Sequence, residues 1–208
     1  MSEYFIRHME VDELNGFYKR IKGDFPPGEH APYTVFYRQI LGDIQEGLVF
    51  GEGARDLAYC VCAANHANGY VLISLLAVFQ EFRGQGIGSA FMKALSVMYV
   101  RKQAILVEVE RPELAKTAKE FDLRRRRVDF YEKAGFYLIK GIDYSIWDVP
   151  MHLMALPLNS SIENINKEIE KIMYQIYFKI AGKSLIHKMR FQAINDNVID
   201  SYDCNLHK

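Results

Sequence analysis

Glycines alternate at 84, 86 and 88 within the segment Arg83, Gly84, Gln85, Gly86, Ile87, Gly88, Ser89, a spacing suited to holding an anion. The apolar run at residues 71–79 reads as a buried strand that stops just before it. A helix opens inside it, with Ile87, Phe91, Ala94, Leu95 and Met98 at the spacing of one buried face. Glycine lets a backbone turn tightly and lets a ligand approach its amides. The first amides of a helix lack internal partners and sit at the positive end of the helix dipole, so together these features suit a diphosphate. Each hydrogen bond to a charged oxygen contributes about 1.5–3 kcal/mol, so about four or five amides suffice without a lysine. Two other phosphate loops do not fit. No Lys-Ser or Lys-Thr follows the glycines as a P-loop requires, and a dinucleotide fingerprint would place Ser89 or Phe91 where glycine or a small residue is needed. The alternative is a glycine-rich turn with no ligand.

A second chemical feature follows. In Val107, Glu108, Val109, Glu110 the side chains alternate along a predicted strand, so both carboxylates share one face and the valines the other. Such a pair suits binding a cationic amine or ordering a water chain; a half-exposed strand edge is the plain alternative. Cys60 and Cys62 also share a strand face, but two thiols without further ligands make a poor zinc site. They read as packing residues of a reducing compartment. The six histidines show no HExxH pattern, so no metal is expected.

The elements around these residues are legible from pattern. Residues 4–9 form a candidate strand. Two helices are predicted between residues 11 and 44, broken at the turn GDFPPG of residues 23–28. Strands at 48–50, 57–63 and 70–79, joined by turns at 51–56 and 65–69, suggest an antiparallel meander. Strand, glycine loop and helix then lead to a strand at 104–109, a helix at 124–134 stopped by Gly135, and strands at 136–139 and 150–156. The tail opens with a capping-box pattern at Ser160 and Glu163, then an apolar stripe of Ile162, Ile165, Ile169, Ile172, Met173, Ile176 and Ile180, ending at Gly182. The stripe must be covered, either by the chain's own sheet or by a second copy in a homodimer. A short helix is predicted at 185–193 and irregular chain at 195–208.

Residues 83–88, Arg-Gly-Gln-Gly-Ile-Gly, match the Q/R-x-x-G-x-G/A motif, and residues 126–136 end F-Y-E-K-A-G-F. In this order and at this separation, with a strand between them, the two blocks resemble the GNAT (GCN5-related) acetyltransferases. The resemblance spans roughly residues 1–158 and its motifs lie in 75–136. It implies an α/β fold with a mixed, mostly antiparallel central sheet flanked by helices, here a domain at 1–158 with a C-terminal helical extension at 159–208. It implies acetyl-CoA as co-substrate, with Val78 and the amides from Gly84 to Ser89 touching it, and Tyr131 near the thioester sulfur as the acid for the departing thiolate. Two positions depart from the family. Phe79 and Gln80 stand where proline is frequent, and Arg124 stands seven residues before Tyr131 where an asparagine contacts the cofactor. The run from Arg124 to Arg127 then either touches phosphates or forms a solvated basic helix face.

The implied reaction moves an acetyl group to a primary amine by direct attack, with no nucleophilic cysteine placed for it. A lysine-like amine with a pKa of about 10.4 is neutral in only about one molecule in 2,500 at pH 7, a handicap of about 4.6 kcal/mol that a general base relieves. Glu108 is favoured over Glu110 for that role. Tyr33, Phe36 and Tyr37 are candidates for the acceptor pocket, or ordinary core aromatics. The acceptor is expected to be a small-molecule or peptide amine, and a non-catalytic acyl-CoA sensor is the alternative function. Equal counts of 26 basic and 26 acidic residues give no case for nucleic acid or a membrane surface. No run approaches the roughly 20 apolar residues of a membrane span. The opening MSEYFIRHME lacks the apolar stretch of a signal peptide, so the cytoplasm is the expected location.

Overall fold

A computed structural model describes residues 3–64, 69–183 and 185–193. The chain divides into two compact units, one of Met1–Val107 with Pro157–Ser160, the other of Glu108–Leu156 with Ser161–Lys208.

In the first unit the order is β1 (Tyr4–His8), α1 (Leu14–Asp24), α2 (Tyr33–Leu41), β2 (Glu46–Glu52), β3 (Arg55–Ala63), β4 (Tyr70–Val78), α3 (Ile87–Met98) and the start of β5 (Ala104–Glu110). The strands pair in that order, antiparallel up to β4 and parallel between β4 and β5, where α3 supplies the crossover that a parallel pair requires. β2 and β3 are apolar on both faces because helices cover both. Leu14, Phe17, Ile21 and Phe36 from α1 and α2 pack with Val49, Tyr59, Val61, Leu75 and Ala77. On α3, Phe91 stacks on Phe50 at 4.9 Å. Phe36 is thus a core aromatic, while Tyr33 and Tyr37 lie half-buried at the edge of that core. On α3 the fourth buried apolar residue is Met92, beside Ile87, Phe91 and Leu95, whereas Met98 is 42% exposed.

One irregularity bears on the site. The β3–β4 register steps from Val61↔Leu75 to Cys62↔Ile73, so Ser74 is an inserted bulge residue in β4. Its hydroxyl accepts a bond from Gln45 Nε2 at 2.9 Å. The parallel pairing with β5 runs from Tyr70↔Ala104 to Ile73↔Val107 and stops at this bulge. Cys60 and Cys62 are buried free thiols 3.5 Å apart.

The second unit contains the end of β5, then α4 (Ala118–Lys133), β6 (Tyr137–Leu138), β7 (Ile142–Ile146), β8 (Val149–Pro157), α5 (Ile162–Ala181) and β9 (Met189–Ala193). β6 pairs with β8, and β7 pairs with β8 and β9, all antiparallel. The architecture is mixed α/β and mostly antiparallel. Among the described residues the β4–β5 pairing is the parallel one.

Several elements differ from their sequence-based expectation. α4 starts at Ala118, six residues before the predicted 124, with Thr117 Oγ1 accepting the Glu120 amide at 3.2 Å. It buries only Val128, so it carries almost no periodic apolar signal. β7 was not anticipated because its apolar–polar alternation, Ile142 to Ile146, is only five residues long. Residues 185–193 are not a helix: a single 3-10 turn at Ile186–Lys188 leads into β9, which pairs with β7 from Ile146↔Met189 to Ile142↔Ala193. Nine residues are too few for a helix to stand on propensity, and a ready strand edge wins. The cap of α5 is Ser161, which accepts the Asn164 amide at 3.2 Å, one residue later than predicted. Its buried face is Ile165, Ile169, Ile172, Met173, Ile176 and Tyr177, with Tyr177 in the place expected of Ile180. This face is covered within the single chain. The predicted turn at 65–69 lies, Gly69 apart, outside the described residues, as does the chain at 195–208. No helix among the described residues is long and apolar enough to cross a membrane.

Candidate active site

In the first unit β4 ends at Val78, and the Phe79 amide donates to the Leu57 carbonyl at 2.9 Å. A 3-10 turn, Gln80–Phe82, leads to Arg83 in extended conformation. Gly84 and Gly86 then adopt φ of 76° and 80°, and Gly86 is the N-cap of α3. A side chain in this left-handed region costs roughly 1–2 kcal/mol, which is why glycine occupies both positions. The first bond of α3 runs from the Ala90 amide to the Gly86 carbonyl at 3.0 Å. The amides of Ile87, Gly88 and Ser89 therefore precede the helical ladder and remain available to an anion. Space around Gly84 and Gly86 is open: a Cβ added at either would meet nothing within 4 Å.

The loop's long side chains brace it. Arg83 Nε donates to the Val78 carbonyl at 3.0 Å, and its guanidinium reaches Asp24 Oδ1 at 2.7 Å. Asp24 at the end of α1 also accepts the Tyr59 hydroxyl at 2.9 Å, and burial, reinforced by that carboxylate, pushes the Tyr59 hydroxyl pKa far up. Gln85 Nε2 donates to the Glu81 carbonyl at 2.9 Å. Arg83 and Gln85 thus fix the loop's shape through side-chain bonds, leaving the helix-opening amides unspent. Asp24 was missed in the sequence because it lies 59 residues from Arg83.

In the second unit Glu108 and Glu110 share one face of β5, as predicted, but their surroundings differ. The Glu110 carboxylate receives Arg127 and pairs with Arg124 at 3.4 Å; Arg124 also pairs with Glu120 and donates to the Arg111 carbonyl at 2.8 Å. Arg125 pairs with Asp129 and Glu132, and Arg126 Nε bonds the Asp122 carbonyl at 3.1 Å. The arginine run is therefore largely spent on α4 and β5. Glu108 meets no arginine there. Its Oε1 accepts the Tyr144 hydroxyl and its Oε2 accepts the Tyr177 hydroxyl at 2.6 Å. Although the residue as a whole is only half-buried, desolvation of its carboxylate raises the pKa above the ordinary value, and the two hydroxyl bonds pull it partly back. Burial and the neighbouring carboxylate push both tyrosines well above their ordinary range.

Tyr131 lies half-buried in the last turn of α4. Its ring meets Phe130 and Phe136 edge-on, at 5.0 and 5.2 Å, and its carbonyl accepts the Phe136 amide at 3.0 Å. Gly135, at φ 91°, lets the chain fold back for that bond.

Tyr144 and Tyr177 are the site residues that sequence reasoning missed. Tyr177 did carry a signal, since Ile169, Met173 and Tyr177 are spaced by four on one helical face. Tyr144, on a strand not anticipated, carried a weaker one, the alternation of Ile142, Tyr144 and Ile146 over five residues. Among the described residues no group of three or more histidines, cysteines or carboxylates is arranged to hold a metal.

Residues 45–138 match the family model described as Acetyltransferase (GNAT) domain. No curated protein matches the chain. Among solved structures, a GNAT-family protein from Bacteroides thetaiotaomicron superposes with a TM-score of 0.68 at 19% identity, covering 86% of this chain and 98% of that one. The ribosomal-protein-S18-alanine N-acetyltransferase from Escherichia coli gives 0.53 at 18% identity, covering 76% and 96%. The spermidine N-acetyltransferase from Vibrio cholerae, solved with CoA and spermine, gives 0.56 at 10% identity, also covering 76% and 96%. At these identities the likeness is one of fold.

Proposed function

We propose, from the match of residues 45–138 to the GNAT acetyltransferase model, that this chain transfers an acetyl group from acetyl-CoA to the primary amine of a small molecule or peptide. The observation that carries the reading is the glycine loop: two left-handed glycines open α3 and leave the amides of Ile87, Gly88 and Ser89 without helical partners. In this reading these amides, with those of Gly84, Gln85 and Gly86, hold the diphosphate of coenzyme A. Arg83 braces the loop through the Val78 carbonyl and Asp24. Beyond the Ser74 bulge, β4 has left its parallel pairing, so Val78 and the residues before it offer backbone groups to the amides of the pantetheine arm. The spermidine and ribosomal-protein acetyltransferases of like fold are solved with, or named for, amine substrates, which supports an amine acceptor here.

The chemistry is direct attack. The amine nitrogen bonds to the thioester carbonyl carbon and the carbon–sulfur bond breaks. The proton lost by the amine passes to Glu108, directly or through water, and Tyr131 gives its proton to the departing thiolate. Glu108 is the better base because Glu110 is held by Arg124 and Arg127. The buried free thiols Cys60 and Cys62 fit a reducing cytoplasm.

A panel of polyamines, amino acids and peptide N-termini, incubated with acetyl-CoA and read by release of free thiol, tests the proposal. Turnover with at least one amine is expected; binding of coenzyme A with no turnover across the panel would instead mark an acyl-CoA sensor. Tyr131→Phe is expected to lower kcat about 100-fold while leaving the coenzyme A dissociation constant within twofold. Full turnover of that variant at saturating substrate removes Tyr131 from the mechanism.

A further inference from the structure

We propose that Tyr177 and Tyr144 are positioning residues of the transfer reaction: their hydroxyls fix the two carboxylate oxygens of Glu108, one each, and make the C-terminal helix α5 part of the catalytic apparatus. The inference rests on the reading of Glu108 as the base. Tyr177 lies on α5 and Tyr144 on β7, both beyond the matched residues 45–138.

The geometry is specific. Tyr177 donates to Oε2 at 2.6 Å and Tyr144 to Oε1, so the carboxylate plane is held from both sides. Each oxygen still has a lone pair for an incoming proton. The tyrosines are themselves pinned: the Tyr144 ring packs on Phe191 of β9 at 4.7 Å, and Trp147 meets the Tyr177 ring edge-on at 6.1 Å. Trp147 and Asp148 form the β7–β8 turn with φ of 53° and 63°, conformations that bulky residues rarely adopt and that the surrounding contacts must hold. Flanking charges are paired with one another: Glu110 with Arg124 and Arg127 of α4, Arg111 with Asp143 of β7, and Glu113 with His152 of β8. The two phenols are therefore the side chains bonded to Glu108; burial raises its proton affinity, and both donors pull it back toward the charged form that a base requires.

The test is the pH dependence of kcat/KM in Tyr177→Phe and Tyr144→Phe. Each substitution deletes one donor to the carboxylate, so the acid limb of the profile is expected to move up by about one pH unit, with the rate on the high-pH plateau within about threefold of wild type. A merely structural role would lower the plateau and leave the limb in place. Emission from Trp147, the chain's single tryptophan, reports whether the Tyr177 contact survives. Should Tyr177→Phe fail to fold, Tyr144→Phe alone decides. An unmoved limb in the folded variants, where Glu108→Gln abolishes that limb, overturns the positioning role and leaves the base assignment standing. A limb that persists in Glu108→Gln overturns the base assignment and the positioning role with it, while thiol release with amines still stands as the activity.

Discussion

Valine at both Gly84 and Gly86 is expected to weaken coenzyme A binding by at least about 100-fold in titration calorimetry. Both positions have positive φ and open surroundings, so a Cβ added at either meets nothing within 4 Å. The effect comes through the backbone, because a β-branched residue resists the left-handed region. The loop must then relax toward other dihedrals, and the amides at the head of α3 cease to converge. Losing two charge-assisted hydrogen bonds of about 1.5 kcal/mol each corresponds to a factor of roughly 100 to 200. The fold is expected to persist, since the core beneath the loop rests on Phe91, Met92 and Leu95. Alanine at Gly53 of the β2–β3 turn, also at positive φ, serves as the control for strain without ligand contact. Unchanged affinity in the double valine variant would remove the diphosphate site.

Glu108→Gln is expected to lower kcat/KM by about 10²–10⁴-fold and to abolish the acid limb of its pH profile. Burial raises the Glu108 pKa, so the folded protein holds this proton above the pH at which an ordinary carboxylate of pKa 4.5 releases it. Two consequences of opposite sign follow. Activity rises with pH as the carboxylate ionises through its raised value. Stability from this group falls over the same window, because between the ordinary and the raised pKa the folded state binds more protons than the unfolded state. Wild type should therefore lose thermal stability across that interval as its kcat/KM climbs, and Glu108→Gln should show neither trend. A variant with wild-type kcat/KM at every pH excludes Glu108 as base.

The glycine loop proposed to hold the diphosphate was legible because it is local. Strand, alternating glycines and amphipathic helix occupy consecutive residues, and helix geometry alone dictates which amides lack partners. The shared face of Glu108 and Glu110 followed equally from the period of a strand. Less legible were α4, which is held by ion pairs over one buried valine and so lacks a periodic apolar signal, and the strands β7 and β9, whose apolar–polar alternation spans only five residues each and which pair with each other.

The residue types along the chain thus determined a glycine loop, the helix and strand flanking it, and two carboxylates on one strand face. They did not determine what those carboxylates meet. The tertiary structure separated two glutamates on one strand face into an arginine-bound anchor and a tyrosine-held carboxylate, using Tyr144 from 36 residues away and Tyr177 from 69. Local pattern reports dihedral preference and side-chain period. A carboxylate's proton affinity depends on desolvation and on donors delivered by distant strand pairing and helix packing, which no short stretch of sequence encodes.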